Sequence, residues 1–288
     1  MLKFLQQQQQ QQQPQTQQSI GVHPAAANDD SAQHVVRDFW ETVGREQPWW
    51  GVLTQPLYSG QGELEPAAKE AFFATGSAEV AFIDDVLRTH GGLGGGLSAL
   101  QDGAFLDFGC GVGRIALHMA RHCTHVMCVD VADAYLRHLA ATCEAHGVCN
   151  YSAVPLDSFL AEGVPLADVS LVYSLLTLQH NPPALILRLV GALCAVLRPG
   201  GFGVLHVPYA FPEGHRSVRP NAPVMQMHCV PKAELVECVE RAGCALVRIV
   251  DVDRCGGGID NCVYIVRRPS SPAAQVLFPD DGSTVAPV

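Results

Sequence analysis

The stretch Phe105–Ala116, FLDFGCGVGRIA, decides how the rest of the chain is read. An apolar run carrying one acid, Asp107, ends in three alternate glycines, Gly109, Gly111 and Gly113, and a helical pattern follows. Glycine tolerates positive φ and lets a ligand approach the main chain, and free amides at a helix start attract negative charge. A strand that enters a helix through such a loop is the place where doubly wound sheets bind ligands. The turn is expected to touch something.

A second acid, Asp130, ends the next apolar run, 21 residues after Gly109. There its carboxylate can accept hydrogen bonds from a ribose diol. Dinucleotide enzymes share that spacing, but their pattern requires a small residue where this chain has Arg114. Asp107, standing before the first glycine, suits an ammonium better than a diphosphate. The ligand implied carries an amine, a carboxylate and a ribose.

Working outward, apolar runs and helical patterns alternate. The strands predicted are Phe105–Phe108, His125–Asp130, Asn150–Val154, Val169–Tyr173, Gly203–Val207, Ala245–Val252 and Cys262–Val266. Helices are predicted over Gly113–Arg121, Ala132–Ala145, Pro183–Leu197 and Lys232–Ala242, with a plain loop after the third strand. This order predicts an α/β fold: a doubly wound, mostly parallel, seven-stranded sheet whose last two strands form an antiparallel pair.

Upstream, Ala32–Glu46, Pro66–Gly76 and Ser77–His90 repeat apolar residues at helical spacing, with Ser77 read as the cap of the third helix. They form an N-terminal helical cap, joined to the sheet by the glycine run Gly91–Gly96, read as a flexible joint. The domain reading is a disordered Gln-rich tail over 1–30, the cap and joint over 31–100, the ligand-binding domain over 101–268 and a flexible Pro- and Ser-rich tail over 269–288.

Composition narrows the partners. The formal charge of −10 and the lack of a basic run argue against nucleic acid. Eleven cysteines, odd in number and with no CxxC, sit largely in apolar runs and read as reduced core residues of a cytoplasmic protein, organelle import being left open. No apolar stretch is long enough to span a membrane. No sequence feature bears on oligomeric state.

At this point the chain resembles the class I S-adenosylmethionine-dependent methyltransferases, which have a Rossmann-like fold. LDFGCGVGR matches their first motif, VMCVDVA the second, ADVSLVYSLLTLQH the fourth strand and its outlet, and LRPGGFGVLHV the turn into the fifth; the match covers roughly Ala104–Arg268. The resemblance implies S-adenosyl-L-methionine as cofactor, with Gly109, Cys110, Gly111 and Gly113 beside its methionine portion. It further implies Asp107 near the ammonium, Asp130 on the ribose hydroxyls and Val131 on the adenine face. Asp157 matches a position that accepts from the adenine amine, although a helix N-cap explains it equally, and the Leu156 main chain could serve instead.

The activity expected is methyl transfer to an oxygen or nitrogen of a small-molecule acceptor. A protein acceptor, a non-catalytic cofactor-binding partner subunit and, last, an NAD(P)-dependent oxidoreductase are the alternatives. Among Gln179, His180, His206 and Tyr209, at the outlets of strands four and five, His180 is the candidate base, against the reading that it only bonds a neighbouring loop. His206, within a strand, reads as a satisfied core histidine. Trp49 and Trp50 are read as packing before lid, and Pro182–Pro183 as a helix start. His118, His122 and His125 lack the accompanying ligands of a metal site, so none is predicted.

Overall fold

Seven strands, β1 Ala104–Phe108, β2 His125–Asp130, β3 Tyr151–Pro155, β4 Val169–Ser174, β5 Leu197–Ala210, β6 Ala245–Val252 and β7 Asp260–Arg267, form one sheet in the order β3-β2-β1-β4-β5-β7-β6. They belong to a computed structural model that describes residues 29–60, 62–163, 168–213 and 225–270. The two tails expected to be disordered lie, but for residues 29–30 and 269–270, outside these. Strands β1 to β5 pair in parallel, and β7 runs antiparallel to both β5 and β6.

The central strands β1, β2 and β4 are buried almost throughout because both of their faces are covered, whereas β3 at the sheet edge is not. Along β1, Phe105 packs into one core and Leu106 into the other, as a side-chain period of two requires. Helices α5 Asp133–Ala145, α6 Leu156–Glu162, α7 Pro183–Ala195 and α8 Lys232–Arg241 supply much of the covering. After β3 the chain crosses to the far side of β1 and continues at β4. The carboxyl ends of β1 and β4 therefore diverge, and a crevice opens between them.

Several elements differ from expectation, among them β5, which runs to 14 residues where Gly203–Val207 was predicted. The helix after the glycine loop is only α4, Ala116–Met119, because Gly113 at φ +86° cannot lie within a right-handed helix. The segment after β3 forms α6 where a loop was expected. Its signal was present in Leu156, Phe159 and Leu160, three apolar residues at helical spacing, the first two of them buried.

The cap consists of α1 Asp29–Glu46, α2 Pro48–Val52 and α3 Pro66–Thr89. Ser77 caps nothing: α3 runs unbroken through it, burying Phe72, Phe73, Val80, Ile83, Val86 and Leu87 along one side. Fully burying a side chain such as Ile83 or Leu87 contributes roughly 1.5–3 kcal/mol, enough to outweigh the roughly 1 kcal/mol that Gly76 costs inside the helix. The run Gly91–Gly96 forms a turn tied by Arg88 Nη1 donating to the Gly94 carbonyl at 2.8 Å and Leu97 N–H donating to Asp84 at 2.7 Å.

The cap is docked on the sheet domain by polar contacts as well. Glu41 accepts the Ala134 amide at 2.9 Å at the start of α5, and His138 Nε2 donates to the Gly44 carbonyl at 3.0 Å. A carboxylate at a helix start meets unpaired amides and the positive end of the helix dipole. Residues α1 and α2 are thereby held over the crevice.

Candidate functional site

A cleft opens at the carboxyl ends of β1, β2 and β4, walled by the strand ends on one side and by the cap on the other. Its floor is the glycine loop. Gly109 and Gly111 have φ of +79° and +53°, and a Cβ on Gly111 would stand 2.7 Å from Val52 Cγ2. The main chain of the loop is thus bared on the side where α2 comes closest.

Of the residues expected at the cofactor, Asp107, Gly109, Cys110, Gly111, Asp130 and Val131 all line this cleft. Gly113 does not. A Cβ there would meet Leu139 at 2.7 Å, so that glycine serves the packing of the loop on α5. Asp157 is also away from the cleft: it lies 57% exposed, paired with Arg37 at 2.5 Å and accepting from Gln33 at 2.7 Å. Arg37 and Gln33 come from α1, so the acid predicted at the adenine instead ties the cap to α6. Leu156, its neighbour, does line the cleft.

The two acids differ in what satisfies them. Asp130 accepts the Gly111 amide at 2.9 Å and the Ala132 amide at 3.0 Å, and so braces the loop it is meant to serve. Burial raises its carboxyl to about 6 against those donors. Asp107 is buried with Oδ2 lacking any partner, and burial pushes its carboxyl up to about 7 against the pull of nearby Tyr173 and Arg114. An unpaired carboxylate oxygen beside a cleft fits a cationic group, since burying it without one is costly. The donor set therefore fits the ammonium and ribose of S-adenosylmethionine.

His180 stands in the cleft wall with its ring 4.9 Å from that of Trp40. Its Nδ1 donates to the Gln226 carbonyl at 2.8 Å, which leaves Nε2 as the nitrogen with a lone pair. Desolvation lowers its pKa to about 4, so it is neutral at physiological pH and a weak proton acceptor. His206 is buried as expected. Its Nε2 donates to Asn261 Oδ1 at 2.9 Å, and Leu176 N–H reaches its Nδ1 at 3.4 Å. Leu176, at φ +58°, lines the cleft and is the one non-glycine among the described residues with positive φ.

The other candidates are structural. Gln179 accepts the His228 amide through its carbonyl, and Lys232 lies over the Tyr209 ring. His118 donates to the Phe73 carbonyl, and His125 pairs with Ser152. Trp49 packs among Phe72 and Phe73 within the cap. Pro183 opens α7, as predicted.

Sequence reasoning missed the cap's share of the site: Val36 and Trp40 of α1 and Gly51 and Val52 of α2 form one wall. The helical spacing around Val36 and Trp40 was legible, but neither α2 nor the surface that both helices would meet was. Arg114 and Tyr135 also line the cleft.

Residues 105–201 match the family model described as a methyltransferase domain. A search of the curated proteins finds no match. Solved structures of similar fold include magnesium protoporphyrin IX methyltransferase from Synechocystis PCC 6803 with bound S-adenosylhomocysteine, at 15% identity and TM-score 0.55, over 82% of this chain and 99% of that one. Another is 1,6-didemethyltoxoflavin-N1-methyltransferase from Burkholderia thailandensis, with bound 1,6-didemethyltoxoflavin and S-adenosylhomocysteine, at 19% identity and TM-score 0.56, over 86% and 93%. The [4+2]-cyclase SpnF is similar at 16% identity and TM-score 0.54, over 83% and 97%. Residues 105–201 thus carry a methyltransferase domain, and the glycine loop and the strand order with its reversed β7 resemble those of the class I S-adenosylmethionine-dependent methyltransferases.

Proposed function

We propose that the chain methylates an oxygen or nitrogen of an uncharged small molecule. The observation that carries this reading is the division of the cleft. Its charged described residues, Asp107, Asp130 and Arg114, cluster around the glycine loop, whereas the wall made by Val36, Trp40, Leu175, Leu176, Thr177, His180 and Asn181 is uncharged. Gly109, Cys110, Gly111 and Asp130 would hold the cofactor, with Val131 and Leu156 beside its adenine. When bound, the cofactor supplies a methyl group made electrophilic by a positive sulfur.

What remains for the protein is alignment and exclusion of water. Trp40 and Leu176 confine the acceptor, and His180 Nε2 accepts a hydrogen bond from the O–H or N–H to be methylated. With a pKa near 4, His180 orients that proton more than it removes it. An acceptor that needs full deprotonation would be poorly served.

The test is incubation of the protein with a metabolite extract and methyl-labelled S-adenosylmethionine. Label recovered in a small neutral compound supports the reading, and label recovered only in protein overturns it. The weak basicity of His180 favours a second reading, in which the cofactor is bound but not consumed. Tight binding of S-adenosylhomocysteine with no label transfer to any fraction would favour it.

A further inference from the structure

His206 of β5 is fully buried, and each polar atom around it fixes the next. Asn261 of β7 donates through Nδ2 to the Ile259 carbonyl at 2.7 Å and accepts the Arg254 amide at Oδ1 at 3.2 Å, so its amide can be turned only one way. His206 Nε2, 2.9 Å from that same Oδ1, must therefore carry the proton, because a carboxamide oxygen cannot donate. The Cys255 thiol, 3.9 Å from Nε2, donates instead to Gln179 Oε1 at 3.6 Å. Burial keeps the ring neutral, with its pKa lowered to about 4, so Nδ1 is left with a lone pair.

That lone pair faces the Leu176 amide at 3.4 Å. Leu176 has φ +58°, a left-handed conformation that is strained for a residue with a Cβ and persists only where the surroundings impose it. The chain beyond the bend is committed on two sides. Thr177 packs where a Cβ on Gly109 would lie, and its carbonyl accepts the His180 amide at 3.1 Å. The bend at Leu176 thus decides how the chain leaving β4 reaches both the glycine loop and the turn Leu178–His180.

We infer that His206 is a positioning residue for methyl transfer: by accepting the Leu176 amide, its Nδ1 holds the left-handed bend that sets Leu176 and the turn bearing His180 in the acceptor's wall. This rests on the reading of that wall proposed above. His206 is not among the residues lining the cleft and acts through Leu176. Asn261 stands one step further back and fixes the tautomer.

The experiment uses the full-length protein, saturating methyl-labelled S-adenosylmethionine and a dilution series of metabolite extract, which separates the maximal rate of label transfer from half-saturation. His206→Leu, which fills the space without offering an acceptor, is expected to lower the maximal rate at least about tenfold while S-adenosylhomocysteine affinity stays within about threefold. His206→Asn, whose amide oxygen stands near the place of Nδ1, should recover the rate to within about threefold of wild type. In a Leu176→Gly background, where positive φ carries no strain, His206→Leu should lower the rate by less than about threefold. The nitrogen NMR spectrum of the wild-type imidazole should show the proton on Nε2.

A His206→Leu protein as active as wild type overturns the inference. So do equal losses in His206→Leu and His206→Asn, the mark of a merely structural residue. Should His206→Leu fail to fold, the wild-type spectrum decides, since a proton on Nδ1 leaves the Leu176 amide without its acceptor and overturns the inference. Wild type that transfers label to nothing fails the reading of the cleft itself, and the inference falls with it.

Discussion

Gly76 of α3 lies directly on the main chain of Arg114: a Cβ at position 76 would stand 2.9 Å from the Arg114 carbonyl carbon and overlap its oxygen. The cap helix and the glycine loop thus touch backbone to backbone. Gly76→Ala would raise helix propensity by roughly 1 kcal/mol yet force the two apart. A net destabilisation of roughly 1–3 kcal/mol is expected, together with weaker cofactor binding, because the loop cannot move without disturbing its amides. Thermal melting with and without S-adenosylhomocysteine checks both, and a more stable Gly76→Ala protein would show that the contact relaxes freely.

Asp107 couples binding to pH. Its folded-state pKa of about 7 stands above the ordinary 3.8, so the stability it contributes is fully present below about pH 4 and is lost as pH rises to about 7. Asp107→Asn removes that loss, and without ligand the variant should melt a few degrees higher at pH 8 but not at pH 4. An ammonium ligand needs the ionised acid. S-adenosylhomocysteine affinity in wild type should therefore fall up to about tenfold per pH unit below 7, while the variant binds weakly at every pH. Parallel affinity profiles for the two proteins would remove Asp107 from the ammonium site.

The two acids at the ends of neighbouring strand outlets should separate cleanly. Asp130→Ala is expected to weaken S-adenosylhomocysteine by at least about tenfold, since it removes both the ribose acceptor and the brace on Gly111. Asp157→Ala, whose carboxylate is turned to Arg37, should change that affinity less than about threefold. A large loss in Asp157→Ala, measured by calorimetry, would return it to the adenine.

His180→Ala should lower kcat by about ten- to a hundredfold, at the low end of general-base effects, while cofactor affinity stays nearly unchanged. Because the imidazole titrates near 4, it adds no inflection to the rate profile of the wild type between pH 6 and 9. A rate inflection near 6.5 that disappears in His180→Ala would mean that the side chain is solvated and takes the proton outright.

Asn261→Ala would leave His206 Nε2 without its acceptor and the Arg254 amide without the carbonyl oxygen 3.2 Å away. His206 in turn meets the amide of Leu176, the strained residue in the cleft wall. A loss of roughly 1–3 kcal/mol is expected, the cost of unsatisfied buried donors. Chemical denaturation measures it, and a loss below about 0.5 kcal/mol would mean that water replaces the side chain.

Much of this was legible in the sequence because it is local. Strands β2 and β6 have the bounds their apolar runs predict, and the glycine loop with Asp107 and Asp130 lies where strand-loop-helix order places it. Period and turn chemistry act over a few residues, so a single chain displays them. The bound of α4 was misjudged because Gly113 was counted as helix, although its place in the loop demanded positive φ.

What the sequence alone determined is the sheet, its switch point and the glycine loop that floors the cleft. Tertiary structure alone decided which acid stays free: Asp157 was taken out of the site by Arg37 of α1, and Arg114 was buried against Glu79 of α3. Those partners stand far apart along the chain, and only the docking of the cap brings them into Coulomb and hydrogen-bond range. No local pattern encodes such a meeting, because it depends on which surfaces two separately folded layers present to each other.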